Sequence, residues 1–320
     1  MTPFLNRLLL GTAMVAGLAG AAAAQFPERA VTLVIPFAAG GSTDVVGRIV
    51  ADKMSTHLGE QVIVQNVGGA GGSLGATQVA QAEADGYTIL MGTVATHALN
   101  PLILTQKPYD PVADFAPVSL LVLVPNVLAV NPELGVDTVQ ELIDLAGTEP
   151  LAYASSGNGT PLHLSGELFK SMAGIDLTHI PYQGSGPALT DVLGNQVPII
   201  FDNLPSASGH ITSGSLKALG VTTAERAPSF PDVPTIAETL PGYETYSWNA
   251  LFAPAGTPPE VIAALNEAAL AAMADPEVIA RMEEFSATIV ASSAEELGTH
   301  VTAEMAKWEP VVTDAQVRMD

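Results

Sequence analysis

The 320-residue sequence has no cysteine, which excludes disulfides and thiolate metal sites and leaves packing alone to stabilise the fold. Basic residues are scarce: 11 Lys and Arg stand against 33 Asp and Glu, a formal net charge of −22. So acidic a chain lacks the positive patches that displace counterions from phosphates, and no nucleic-acid partner is expected. The imbalance also constrains any anionic ligand. Long-range attraction cannot bring it in, so local backbone dipoles must hold it; the simpler role of the acidity is solubility. The six histidines, His57, His97, His163, His179, His210 and His300, show no H-E-x-x-H or comparable spacing, so neither a metal site nor a cofactor is expected. Beyond the N-terminus, no apolar stretch is long enough to cross a bilayer.

What is present begins with an address. Residues 1–7 carry one positive charge, an uncharged run fills residues 8–24, and Ala22-Ala23-Ala24 precedes Gln25. This is the n-region, h-region and small-residue cleavage site of a secretory signal peptide, so residues 1–24 are expected to be removed and the chain to be periplasmic. A retained anchor is the rival reading, but the run is rich in Ala and Gly, marginal in length and has no flanking anchor after it. The absence of cysteine also gives no lipid attachment point. What remains is long enough for two lobes with substantial cores.

Strand-like and helix-like runs then alternate. Residues 31–36 (VTLVIP) read as a strand, and 43–58 as a helix with Val45, Val46, Ile49, Val50, Met54 and Leu58 at helical spacing. Further strands are expected at 61–66, 87–91, 127–130, 151–154, 177–181, 197–201 and 216–221, with Asp137 capping a helix to Ala146. This rhythm predicts an α/β fold with an open, mainly parallel sheet that binds ligands at the carboxyl ends of its strands. The last seventy or so residues read as three scaffold helices and one short strand at 288–290. Residues 118–130 and 246–254 are candidate crossings. If both cross, residues 25–125 with 250–320 form a discontinuous first lobe, 126–249 a second, and a hinged cleft lies between.

Two turns carry the chemistry. The first strand runs into Pro36-Phe37-Ala38-Ala39-Gly40-Gly41-Ser42-Thr43-Asp44, where small residues allow close approach to the backbone and Ser42 or Thr43 is expected to cap the next helix. The strand at 151–154 runs into Ser155-Ser156-Gly157-Asn158-Gly159-Thr160-Pro161, with Thr160 as cap, Pro161 at the first helical position and His163 in the first turn. Each alone reads equally well as an ordinary βα turn. Facing one another, two helix starts hold a carboxylate without Arg or Lys. Thr93, Thr96 and His97 follow the third strand and are candidate cleft residues, with loop capping an equally good reading of them. Asp202 ends the strand at 197–201, and Trp248 on a crossing strand is either a cleft wall or core.

Other motifs are weaker. Residues 68–75 (GGAGGSLG) lack the lysine of a phosphate-binding loop and do not match G-x-G-x-x-G. Gly71 to Gly75 does match G-x-S-x-G, with Asp202 and His210 in hydrolase order, which keeps a secreted serine hydrolase with Ser73 as nucleophile as an alternative. Four residues separate Asn66 from Gly71, however, where a nucleophile elbow needs an immediate turn.

Several blocks together resemble the substrate-binding proteins of tripartite tricarboxylate transporters, the Bug family. They are FPERAVTLVIPFAAGGSTDVVGRIVADKM, VIVQNVGGAGGSLGATQVAQAEADGYTIL, LAYASSGNGTPLHLSGELFK, THIPYQGSGPALTDVLGNQVPIIFDN and APAGTPPEVIAALNEA, and they span essentially the whole mature chain in order. The resemblance implies a two-lobe periplasmic binding protein of type II, not an enzyme, that captures a small organic carboxylate and delivers it to a two-component membrane permease. It implies a carboxylate pocket of Phe37, Ala38, Gly41, Ser42, Thr43 and Asp44 from one lobe and Ser155, Ser156, Gly157, Gly159, Thr160 and His163 from the other, with Asp202 nearby. Tyr182, Gln183 and Trp248 are then candidate walls for the far end of the ligand. Where many members read N-R-P-G-A-G-G, this chain has Asn66-Val67-Gly68-Gly69-Ala70-Gly71-Gly72, losing a charge and a stiff turn. A monomer suits such a carrier. A ligand sensor for a membrane signalling partner would keep the same pocket.

Overall fold

The expected alternation is realised over residues 26–314, which the computed structural model describes; the signal segment lies outside them. The chain runs β1 (Val31–Ile35), α1 (Ser42–Leu58), β2 (Val62–Asn66), α2 (Ser73–Ala80), β3 (Thr88–Thr93), α3 (Asn100–Ile103) and β4 (Phe115–Val130). It continues through α4 (Val139–Ala146), β5 (Ala152–Ser155), α5 (Pro161–Ala173), β6 (Thr178–Pro181), α6 (Ser185–Leu193), β7 (Ile199–Asn203), α7 (Leu204–Thr212) and β8 (Lys217–Val221). The closing elements are β9 (Tyr246–Pro254), α8 (Pro259–Met273), α9 (Pro276–Glu284), β10 (Thr288–Ile289) and α10 (Ala294–Asp314). Among the described residues no helix is long and apolar enough to cross a membrane.

Local chemistry sets the ends of these elements. Helix α1 stops at Gly59, whose φ of 75° lets its N–H close on the Ser55 carbonyl. Helix α5 starts as its Thr160-Pro161 pair predicts, with the Thr160 hydroxyl accepting from the His163 N–H. Helix α4 differs by one residue. Thr138, not Asp137, is its cap, because the extended Thr138 places its hydroxyl on the Glu141 N–H at 3.1 Å.

The sheet is mixed rather than mainly parallel. Strands β2, β1 and β3 are parallel neighbours, as are β6, β5 and β7, but β9 and β4 run antiparallel between the two groups. The reason is β4, sixteen residues long and so able to serve both groups. Its first part, Phe115 to Pro125, pairs with β9, whereas Asn126 to Val130 pair with β7. Each group has its own core. Leu33, Ile35, Val50, Met54, Leu265 and Ala269 fill one; Tyr153, Phe169, Phe201 and Tyr243 fill the other. Between these two lobes lies the cleft.

Asn126 sits fully buried where β4 passes from one lobe to the other. Its Oδ1 accepts from Ser247 Oγ at 2.9 Å and from Asn203 Nδ2, and its Nδ2 lies 3.4 Å from Ser165 Oγ and Thr245 Oγ1. Removing that side chain strands buried polar groups on β7 and β9, at about 1–3 kcal/mol each. Asn126→Ala is therefore expected to lower unfolding free energy by roughly 2–4 kcal/mol in urea titration. An unchanged midpoint would show that the node carries no stability.

Candidate functional site

Where the lobes meet, a cavity is lined by Phe37, Gly41, Ser42 and Thr43 from the β1–α1 turn and Ser156, Thr160, Pro161 and Leu162 from the β5–α5 turn. Thr93, Ser185, Asn203, Ser247, Trp248 and Asn249 complete it. No Lys, Arg, Asp or Glu lines it.

Helix starts take the place of charge. Gly41, rather than Ser42 or Thr43, is the cap of α1, and it offers no side chain to the first N–H groups. Helix α6 begins at Ser185 behind Gly184 and α7 at Leu204 behind Asn203, again without side-chain caps. With α5, four helix N-termini border one cavity, and each contributes partial positive charge there. The starts of α1 and α6 are apposed: a Cβ built on Gly41 would lie 3.3 Å from the Ser185 nitrogen.

Around the cavity the lobes touch backbone to backbone. The Ala38 N–H donates to the Gln183 carbonyl at 3.0 Å. A Cβ on Gly186 would come within 2.1 Å of the Ala39 carbonyl oxygen, one on Gly71 within 2.3 Å of the Asn158 carbonyl, and one on Gly68 within 2.9 Å of the Gln183 carbonyl. The glycine-rich run after β2 thus serves this seam, not a phosphate.

Of the residues singled out from the sequence, Phe37, Gly41, Ser42, Thr43, Thr93, Ser156, Thr160 and Trp248 border the cavity. The others are not part of its lining and have partners of their own. Ala38 and Gln183 bond each other across the seam. Asp44 accepts from Gly40 N–H, Arg48 and Asn66; burial alone would raise its pKa, but these bonds outweigh it and hold the carboxyl below its usual range. Thr96 receives the Thr93 N–H, and His97 stacks on Phe252 with centroids 3.7 Å apart, burial pushing its pKa down to about 3. Ser155 bonds His179 at 2.7 Å, and the Gly157 carbonyl accepts from the Thr160 hydroxyl at 2.7 Å. The Gly159 N–H donates to His163, whose ring stacks on His179. Tyr182 turns its hydroxyl to Asp191, and Trp248 directs its indole N–H to Glu304.

A sequence model described as the tripartite tricarboxylate transporter family receptor matches residues 46–317. The chain belongs to that family. Protein BugT of Bordetella pertussis is 36% identical to it over 309 residues, covering 95% of each chain. The periplasmic binding protein BugD superposes with a TM-score of 0.89 at 36% identity, covering 92% of this chain and all of that one. A Rhodopseudomonas palustris protein solved with adipate gives 0.87 at 40% identity, covering 91% and 98%. MatC from the same organism, solved with malate, gives 0.85 at 34%, covering 90% and 100%. The receptor thus has the two-lobe periplasmic binding protein fold, and its family and structural neighbours are binding proteins.

The hydrolase alternative finds no assembled triad. Ser73 accepts from Asn100 Nδ2 at 2.9 Å, Asp202 accepts from Ser185 and Ser206, and the His210 ring faces Ser215 at 3.4 Å. No hydrogen bond joins any two of them. Ser73 opens α2 only after the Gly-rich run, so the sharp strand-to-helix elbow is also missing.

Asp202 itself supports the site from beneath. It is fully buried and holds the Ser185 hydroxyl at the cavity edge. Burial pushes its pKa up to about 6, against the opposing bonds from Ser185, Ser206 and the Asn203 N–H. Below the ordinary carboxyl range Asp202 is neutral folded or unfolded. As pH rises towards about 6 the unfolded chain gives up this proton more readily, so stability is lost. Wild type is therefore expected to lose on the order of 3 kcal/mol more than Asp202→Asn between pH 3.5 and 7. Parallel pH–stability curves would remove Asp202 as a titrating support.

Proposed function

We propose that this receptor captures a small organic carboxylate in the interlobe cavity and delivers it to a tripartite tricarboxylate-type membrane transporter. In this reading residues 1–24 direct export to the periplasm, residues 25–125 with 250–320 form one lobe, and residues 126–249 form the other. The observation that carries the proposal is a cavity edged by four helix N-termini and free of ionisable side chains. Such a lining suits an anion and opposes an isolated cation, for which it offers no counter-charge. Adipate and malate in related structures point to the same ligand class. The Thr160 hydroxyl already caps α5 and donates to Gly157, so its contribution is to aim the helix start; the carboxylate then meets backbone N–H groups and the Ser42 hydroxyl. Contacts from both lobes make closure and binding one equilibrium.

Thermal unfolding with a panel of mono-, di- and tricarboxylates tests the ligand class. A true ligand at a hundred times its Kd adds about 2.7 kcal/mol, whereas a panel in which nothing raises Tm defeats the reading. Closure is tested separately. Alanine is a better helix former than Gly186, so Gly186→Ala is expected to keep α6, while its methyl meets the Ala39 carbonyl oxygen wherever the lobes approach as they do here. Calorimetry is expected to find affinity at least tenfold weaker, about 1.4 kcal/mol; unaltered affinity would mean that binding does not require this seam.

A further inference from the structure

Two polar atoms in the cavity wall have no partner. Thr93 closes β3 and Asn249 lies on β9, and the antiparallel register sets them directly opposite one another. Directly opposed residues present their side chains on the same face of a sheet, here the one that borders the cavity. They are only 6% and 3% exposed, yet Thr93 Oγ1 and Asn249 Oδ1 make no hydrogen bond within the protein. A buried polar atom left so costs about 1–3 kcal/mol, and folded proteins rarely tolerate a pair of them without a purpose.

The chemistry of the pair is specific. Asn249 Nδ2 is turned to Thr43 Oγ1 at 3.4 Å, which leaves its carbonyl oxygen, an acceptor only, for the cavity. A carboxylate has no proton to give that oxygen. A ligand ammonium would, but no acidic side chain lines the cavity to balance its charge, because Asp44 and Asp202 are bonded behind it. A ligand hydroxyl fits both atoms: it donates to Asn249 Oδ1 and accepts from the Thr93 hydroxyl. Its place relative to the carboxylate is fixed by Thr43, which stands in the first turn of α1 and also holds Asn249. The hydroxyl therefore sits next to the anionic end.

We propose that Thr93 and Asn249 form a hydroxyl-reading subsite, so that the preferred ligand is a 2-hydroxy carboxylate. This rests on the carboxylate reading above and names its substrate class.

The test is calorimetry of the mature chain with matched acids differing by one hydroxyl: lactate and propionate, malate and succinate, mandelate and phenylacetate. Within whichever pair fits the cavity, the hydroxy acid is expected to bind at least tenfold more tightly, and aspartate more weakly than malate. In Thr93→Val, and independently in Asn249→Ala, the ratio within that pair is expected to fall to within about threefold, a change that a merely structural role would not produce. Equal affinities within a pair in the unaltered protein overturn the subsite and leave the carboxylate reading standing. A ratio that survives both substitutions also overturns it. No binding by any carboxylate overturns both readings.

Discussion

A cavity without a single basic side chain, inside a chain of net charge −22, is the constraint on which the rest of the structure turns. A carboxylate leaving water must recover its solvation from somewhere. For the proposed ligand the cavity offers peptide N–H groups at helix starts, whose partial charges are fixed by the backbone. Such donors cost no side-chain entropy to order, and they add no formal charge that the surrounding acids would neutralise.

That constraint explains the architecture around it. A helix start is useful only if it points at the cavity, and in an α/β lobe the strand before it does the pointing. Strands β1, β5, β6 and β7 each deliver a helix start to the same place from two different lobes. The long strand β4 holds the lobes in register, and Asn126 ties the crossing to Asn203 and Ser247, both of which line the cavity. Glycines then let the lobes approach backbone to backbone. The acidic groups nearest the cavity, Asp44 and Asp202, do not line it: Asp44 accepts from the Gly40 N–H, and Asp202 holds the Ser185 hydroxyl at the cavity edge.

The sequence made much of this legible because periodicity and cap chemistry are local. The strands, most helix ends and the Thr160-Pro161 start follow from residues within a few positions of each other. The two βα turns are visible for the same reason. What it hid depends on spacing between lobes. Gly184-Ser185-Gly186 has the same small-residue signature as Gly40-Gly41-Ser42, but Tyr182 and Gln183 beside it are the larger candidates for a cavity wall, and only the fold shows Ser185 meeting Gly41. On β9, Trp248 stood out by size. Strand alternation places Ser247 and Asn249 on the opposite face from its indole, and those two supply the polar wall. His97 and His163 looked like ligand groups, but stacking on Phe252 and His179 makes them supports.

The most direct measurement is a crystal structure of the mature chain with a carboxylate ligand bound. Carboxylate oxygens are expected within about 3.2 Å of backbone nitrogens at the starts of α1 and α5, with no Lys or Arg in contact. A carboxylate paired with a basic side chain, or lying outside the cavity between the lobes, would contradict this expectation.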